Sequence, residues 1–354
     1  MSLSALPVPA RDVLVVGGSA GGVDALKRFL AGLPDDLDAA VCVALHLGST
    51  SPSLLPGILA RVCGLQVVAA VDGAALERGV VHVARPDVHL VVAHGLVRLG
   101  PGPRENGHRP SLDVLLRSAA LAYGPRAVGV VLTGMLDDGA AGLHRIAAYG
   151  GASLVQDPDD AEFPSMPRAA LAAVPSARRA PLAALSQEAV SAVDADRYDR
   201  PEPTPRERRR DEAEVRSALG LDPALADGQS VGRPSPYSCP DCGGVLNGVE
   251  DAEGLLRFRC RVGHAYTAQT LVEAQGDTVE DALFTALRAL EERGEVAERL
   301  ARTSTERGRE YSGSHFRRRA EQARNAAEVL RQVLAEHRSA AQAAADHTLG
   351  ETGT

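Results

Sequence analysis

The sequence predicts an α/β fold, a doubly wound and mainly parallel sheet, with a small Cys/His-bearing ribbon and a helical hairpin after it. From Asp12 to about Ala184, short apolar, β-branched runs alternate with Ala/Leu-rich runs of helical spacing. Strands alternating with helices build parallel sheets. Farther along, a Pro- and charge-rich stretch ends this pattern, and paired cysteines followed by two long seams of 3–4 spacing replace it.

The first strand is expected at 12–17 ("DVLVVG") and the first helix at 21–32, across the turn "GGSAGG". Further strands are expected at 39–45, 80–84, 88–93, 127–132 and 152–156, each rich in Val, Ala and Leu, with helices at 51–63, 110–123 and 139–149. The stretch "VVHVARPDVHLVV", with Arg85-Pro86-Asp87 as its turn, reads as a β-hairpin inserted in the alternation. Residues 1–185 thus form the α/β domain. Residues 186–233, with scattered prolines among charges, read as a linker. Residues 234–272 form the ribbon and 273–347 the hairpin. Its seams run Val279, Leu283, Ala286, Leu290, Ala297, Leu300 and Phe316, Ala320, Ala323, Ala327, Leu330, Leu334, with Thr278 and Asp281 resembling a capping box.

At 354 residues the chain can hold two or three domains. Its formal net charge of -8 argues against a nucleic-acid partner, which needs clustered cations, and the lack of Trp argues against base-stacking platforms. Arg206 to Arg210, interrupted by Glu207, reads as solvated linker. No stretch approaches the roughly 20 apolar residues of a membrane helix, and the first residues lack a secretion signal. A cytoplasmic protein without membrane insertion is expected.

"GGSAGG" is too poor in matching residues to cradle a phosphate. A dinucleotide fingerprint counted from Gly17 needs Gly where Ser19 stands, and a P-loop needs Gly-Lys-Ser/Thr where Val23 follows Gly22. G-x-S-x-G is met by Gly17, Ser19 and Gly21 between a strand and a helix, the setting of a nucleophile elbow. A serine nucleophile needs a base, and the base an orienting acid. Ligands of open parallel sheets sit beyond the strand C-termini. His46 follows the strand "AAVCVAL", whereas His82, His89, His94 and His144 fall in the hairpin or in a helix and read as structural. The same rule selects Asp137 or Asp138 after "AVGVVLTG", a pair that also suits an N-cap for the 139–149 helix. The chain order Ser, His, Asp, with the elbow on the first strand, differs from the α/β-hydrolase order.

These segments resemble a known family. "VVGGSAGGVDALKRFLAGLP", "ALHLGSTSPSLLPGILAR" and the long "RPSLDVLL…GMLDDGAAGLHR…PSMPRAAL" run resemble, in order, the nucleophile, histidine and aspartate segments of the CheB-type chemotaxis protein-glutamate methylesterases, over about Asp12 to Val174. The resemblance implies a triad of Ser19, His46 and Asp138 that hydrolyses glutamate methyl esters on chemoreceptor helices, releasing methanol. Some members also deamidate receptor glutamines. It implies oxyanion donors at the backbone N–H groups of Ala20 and Met135. Ala20 stands where the family usually has Thr, Leu136 where Gly is common, and Leu47-Gly48 where Met-Pro is usual. Many members carry a receiver domain first; with eleven residues ahead of Asp12, none is expected in cis.

Cys239-Pro-Asp-Cys242 and Cys260-x3-His264 offer four soft or borderline ligands in two clusters, the pattern of a closed structural zinc site. No cofactor is expected for catalysis; Cys42 and Cys63 are left as stray thiols. The ribbon suits docking to protein more than nucleic acid. The helical hairpin reads as a packing or dimerisation element, or as one that extends the receptor-binding surface. Methylated chemoreceptor helices and other chemosensory proteins are the expected partners. Two other readings stay open: a chemosensory scaffold that only binds in the pocket, and an esterase with a small or non-receptor substrate.

Overall fold

Val13 to Val16 are buried without alternation because their strand is covered on both faces. Leu14 and Val16 join one core with Phe29, Val43 and Leu185, while Val13 and Val15 join a second with Leu115, Leu116 and Leu143. A computed structural model describes residues 12–46, 54–195, 203–221, 232–250 and 255–350. In chain order the first unit holds β1 (Val13–Gly18), α1 (Gly22–Ala31), β2 (Ala40–Leu45), α2 (Leu55–Leu59), β3 (Gln66–Ala69), β4 (Val80–Val83), β5 (His89–Ala93), β6 (Leu96–Gly100) and α3 (Leu112–Tyr123). It continues with β7 (Ala127–Val131), α4 (Ala140–Ala148), β8 (Ala152–Gln156), α5 (Ser165–Ala173), β9 (Arg178–Ala180), α6 (Leu182–Asp194) and α7 (Pro205–Ala218). Seven strands form one sheet in the order β3-β4-β2-β1-β7-β8-β9, every neighbouring pair parallel. From β1 the chain builds outward to one side through β2 and later to the other through β7. The switch point therefore lies between β1 and β7, where a ligand crevice is expected.

The expected 80–93 hairpin does not form. β4 pairs in parallel with β2 and β3, and β5 pairs antiparallel with β6. The reversal falls at His94-Gly95, where Gly95 supplies a left-handed φ of 73°. The short strands β3, β6 and β9 and the helices α5, α6 and α7 were not expected. Residues 47–53, which hold the start of the expected 51–63 helix and the Leu47-Gly48 pair, lie outside the described residues.

The stretch expected as linker contains most of α6 and all of α7. Thr204 and Glu207 close a capping box with Pro205 in the first turn, so Arg206 to Arg210 are helical. The helix lacks an apolar stripe because its buried face is charged. Asp211 accepts from Arg145 Nε at 3.0 Å and Tyr149 Oη at 2.9 Å, and Glu214 pairs with Arg117, Arg257 and Arg259.

The ribbon is a four-stranded antiparallel sheet of β10 (Arg233–Ser238), β11 (Val245–Glu250), β12 (Leu256–Cys260) and β13 (Ala265–Thr267). Residues 12–271 belong to one compact unit, ribbon included, and a second begins at Val272. α8 (Ala268–Glu306) begins in the first unit; the rest of it runs antiparallel to α9 (Glu310–Gly350) in the second, with Arg324 on Glu298 at 3.2 Å and Arg331 on Glu291 at 2.6 Å. Thr278 caps nothing: α8 starts ten residues earlier, and the Thr278 hydroxyl donates to the Ala274 carbonyl one turn back. No described helix is long and apolar enough to cross a membrane.

Candidate active site

Ser19 and His46 each follow directly on a strand, β1 and β2, and Asp138 follows β7, so three neighbouring strands deliver them to one edge of the sheet. Gly21, at φ 70°, turns the chain from β1 into α1, a left-handed conformation costly for other residues. Ser19 N–H donates to the Thr133 carbonyl at 3.0 Å, which ties the elbow to the end of β7. His46 Nδ1 lies 3.0 Å from Ser19 Oγ, and His46 Nε2 lies 2.7 Å from Asp138 Oδ2.

Asp138 takes five donors. Its Oδ2 accepts from His46 Nε2 and from Leu112 N–H at 2.7 Å; its Oδ1 accepts from Asn106 Nδ2 at 2.9 Å, Ser111 Oγ at 2.9 Å and Asp113 N–H at 3.2 Å. Two of these are the first amides of α3, where the helix dipole favours an anion. Burial acts to raise this carboxyl, but the His46 bond and charge, with Asn106, outweigh it and hold Asp138 well below the usual range. An ionised carboxylate can only accept, so it fixes the proton on Nε2 and leaves Nδ1 with a lone pair toward Ser19.

The expected N-cap role of the Asp pair is not seen. Gly139 caps α4 with no side-chain bond, because Asp138 caps α3 instead and Asp137 Oδ1 accepts from Thr267 Oγ1 at 2.8 Å. Asp137 is raised to about 6, first by burial and further by the Asp138 charge, against the Thr267 bond. Three residues at the site escaped sequence reasoning: Asn106, His108 and Ser111. His108 stacks on His46 with ring centroids 3.7 Å apart and is pushed down to about 4, first by burial and then by His46. The position of 106–111 just ahead of an α3 that starts at the crevice was the available signal. His82 and His144 are buried in β4 and α4, His89 bonds the Pro103 carbonyl and Ser111 N–H, and His94 lies exposed in the β5–β6 turn.

The CheB methylesterase family model matches residues 14–189. A relative from Leptospira interrogans, named for protein-glutamate methylesterase and protein-glutamine glutaminase activity, is 37% identical over 163 residues, 46% of this chain and 84% of the relative. The chain belongs to the CheB methylesterase family. Protein-glutamate methylesterase/protein-glutamine glutaminase 5 of Myxococcus xanthus is 41% identical over 177 residues, and the chain spans 51% of its length. The crystal structure of the Thermotoga maritima CheB methylesterase catalytic domain aligns at 27% identity and TM-score 0.49, over 51% of this chain and 97% of that one. The family is one of carboxylic ester hydrolases.

Within the methylesterase domain, the Ala20 and Met135 N–H groups have no hydrogen-bond partner among the described residues. The backbone before Met135 runs close to the serine: a Cβ on Gly134 would lie 3.0 Å from Ser19 Cβ and 2.0 Å from Met166 Sδ. Leu136 takes φ 60°, a left-handed conformation that Gly adopts more readily.

Outside the residues matched by the family model, Cys239, Cys242, Cys260 and His264 put their four ligand atoms within 4.8 Å of one another. The knuckles join β10 to β11 and β12 to β13. Cys242 and Cys260 sulfurs are 3.7 Å apart, and His264 Nδ1 is 3.7 Å from Cys239 Sγ and 3.5 Å from Cys260 Sγ. A tetrahedral zinc with ordinary Zn–S and Zn–N bonds requires edges of about 3.8 Å (S···S) and about 3.6 Å (S···N). The donor set and its spacing fit that ion.

Proposed function

We propose that this member of the CheB methylesterase family hydrolyses methyl esters of glutamate side chains on chemoreceptor helices, with Ser19 as nucleophile, His46 as base and Asp138 as orienting acid. One observation carries the reading: His46 bridges Ser19 Oγ at 3.0 Å and Asp138 Oδ2 at 2.7 Å, with its acceptor nitrogen toward the serine. Ser19 Oγ attacks the ester carbonyl as its proton passes to His46 Nδ1. Asp138 stabilises the imidazolium, and the Ala20 and Met135 N–H groups receive the oxyanion. The proton then goes from His46 to the departing methoxide, and methanol leaves an acyl-serine. Water, deprotonated by the same nitrogen, releases the glutamate carboxylate and restores Ser19.

The same acyl-serine forms from a glutamine side chain with ammonia leaving, the second activity in the relatives' names. The four ligands of the ribbon bind structural zinc, since a full protein donor set leaves no position for substrate or water. The reaction takes place in the cytoplasm, a compartment that suits thiolate ligands. The test is methanol release from methyl-labelled receptor membranes. Ser19→Ala abolishes it while the melting profile is unchanged; methanol release by Ser19→Ala at the unaltered rate overturns the reading.

A further inference from the structure

The amide of Asn106 has every hydrogen-bonding position filled, half toward the triad and half toward the ribbon. Its Nδ2 donates to Asp138 Oδ1 at 2.9 Å and to Asp113 Oδ2 at 2.8 Å. Its Oδ1 accepts from Thr267 N–H at 3.0 Å and from Thr270 Oγ1 at 3.1 Å. So saturated, the amide has one orientation, because a flip would turn its oxygen on the Asp138 carboxylate and its NH2 on the Thr267 N–H. Asn106 sits in a loop between β6 and α3, at a left-handed φ of 54°, and within the α/β domain its amide is bonded to Asp138 and to Asp113 of α3. The ribbon holds the loop from the other side: Asn106 N–H donates to the Ala265 carbonyl at 2.7 Å, and Ala265 N–H donates to the Arg104 carbonyl at 3.3 Å. Beside it, Glu105 pairs with Arg259 of β12 at 3.1 Å.

The segment that makes these contacts leaves the Cys/His cluster directly. Ala265 follows the ligand His264, and Thr267 ends β13. Thr270 N–H donates to Thr267 Oγ1 at 3.1 Å, and Thr267 Oγ1 donates to Asp137 Oδ1, next to Asp138. A ribbon this small draws much of its order from its metal. We propose that the metal-ordered ribbon is a positioning element for catalysis: residues 265–270 hold Asn106, Asn106 holds Asp138 against His46, and loss of zinc slows acylation of Ser19 although no catalytic residue is touched. This rests on Ser19 being the nucleophile.

The test uses the full chain, a fluorophosphonate probe that labels Ser19, and elemental analysis for zinc. Stripping zinc with a chelator lowers the maximal labelling rate about tenfold or more, with the probe concentration at half-rate unchanged, and added zinc restores it. Thr270→Val, which removes the hydroxyl donor to Asn106 Oδ1, lowers the rate to a similar extent with zinc still bound, and Thr270→Ser, which keeps the hydroxyl, returns it. Thr270→Ala replaces Thr270→Val if that variant fails to melt cooperatively. Zinc-free protein, or a zinc-loaded Val variant, labelled at the wild-type rate overturns the relay. Zinc-loaded wild type that labels no faster at Ser19 than the Ser19→Ala control overturns the nucleophile assignment itself, a separate failure.

Discussion

Replacing Asp138 by Asn removes one charge and exchanges one oxygen for an NH2, and the five donors around the carboxylate decide the outcome. Leu112 N–H points at Oδ2 and Asp113 N–H at Oδ1, and neither backbone group can turn round to accept. Whichever way the new amide is set, one buried amide N–H faces another, at a cost of about 1–3 kcal/mol. With nitrogen in the Oδ2 place, His46 must accept at Nε2, its proton moves to Nδ1, and Ser19 faces a hydrogen in place of a lone pair. With nitrogen in the Oδ1 place, Asn106 must turn its carbonyl toward Asp138 and abandon Thr267 and Thr270. Either way the imidazolium loses its counter-charge. A drop in kcat of about 10³–10⁴ is expected, which at about 1.4 kcal/mol per decade is about 4–5.5 kcal/mol of transition-state stabilisation. Methanol release under saturating methylated receptor measures kcat, and denaturant unfolding measures the stability loss. A folded Asp138→Asn protein retaining more than a tenth of wild-type kcat would refute the reasoning.

Three further outcomes are expected. Asp137→Asn keeps an acceptor for Thr267 but removes a carboxyl raised to about 6. That raised value favours the fold below the unfolded pKa near 3.8 and is lost as pH rises through 6, so the variant gains on wild type by up to about 3 kcal/mol between pH 4 and pH 8; equal unfolding midpoints for variant and wild type across that range would contradict it. Glu214→Ala leaves Arg117, Arg257 and Arg259 buried without their shared carboxylate and should cost about 3–5 kcal/mol; a loss under about 1 kcal/mol by urea titration would show the network to be neutral. Gly134→Ala sets a methyl against Met166 and Ser19, and a displacement of the elbow by even part of an ångström should lower kcat about tenfold or more with the fold retained. Unchanged turnover in that variant would mean that the 134–135 backbone does not shape the oxyanion site.

The parallel sheet and the three strand-end residues were readable because apolar continuity and strand-to-helix turns are local properties. β1, β2 and β7 lie within a residue of their expected bounds; Ser19 and His46 are the first residues past β1 and β2, and Asp138 stands in the loop after β7. The failures have local causes too. Arg85-Pro86-Asp87 carried turn residues but no glycine for a tight hairpin, whereas His94-Gly95 did. α7 was invisible to hydrophobic periodicity because what it buries is Asp211 and Glu214, although its Thr204-x-x-Glu207 box was plain in the sequence. The Cys/His cluster was foreshadowed by its paired spacing, and the fold brings Cys239, Cys242, Cys260 and His264 together.

What could not be read was the environment of Asp138. Thr267 and Asn106 are 161 residues apart, and no periodicity encodes a match between a carbonyl in one loop and a donor at the end of a distant strand. Such partners become identifiable only when the fold allows each donor and acceptor to be counted. That count gives Asn106 its weight. A carboxylate needs donors, but it does not need one whose other face is gripped by a Cys/His-bearing ribbon. A water or a second serine would satisfy Asp138 Oδ1 as well as the amide does. An amide saturated on both faces satisfies it and also transmits the position of the ribbon to it, so the state of the Cys/His cluster reaches His46 through two side chains, Asn106 and Asp138.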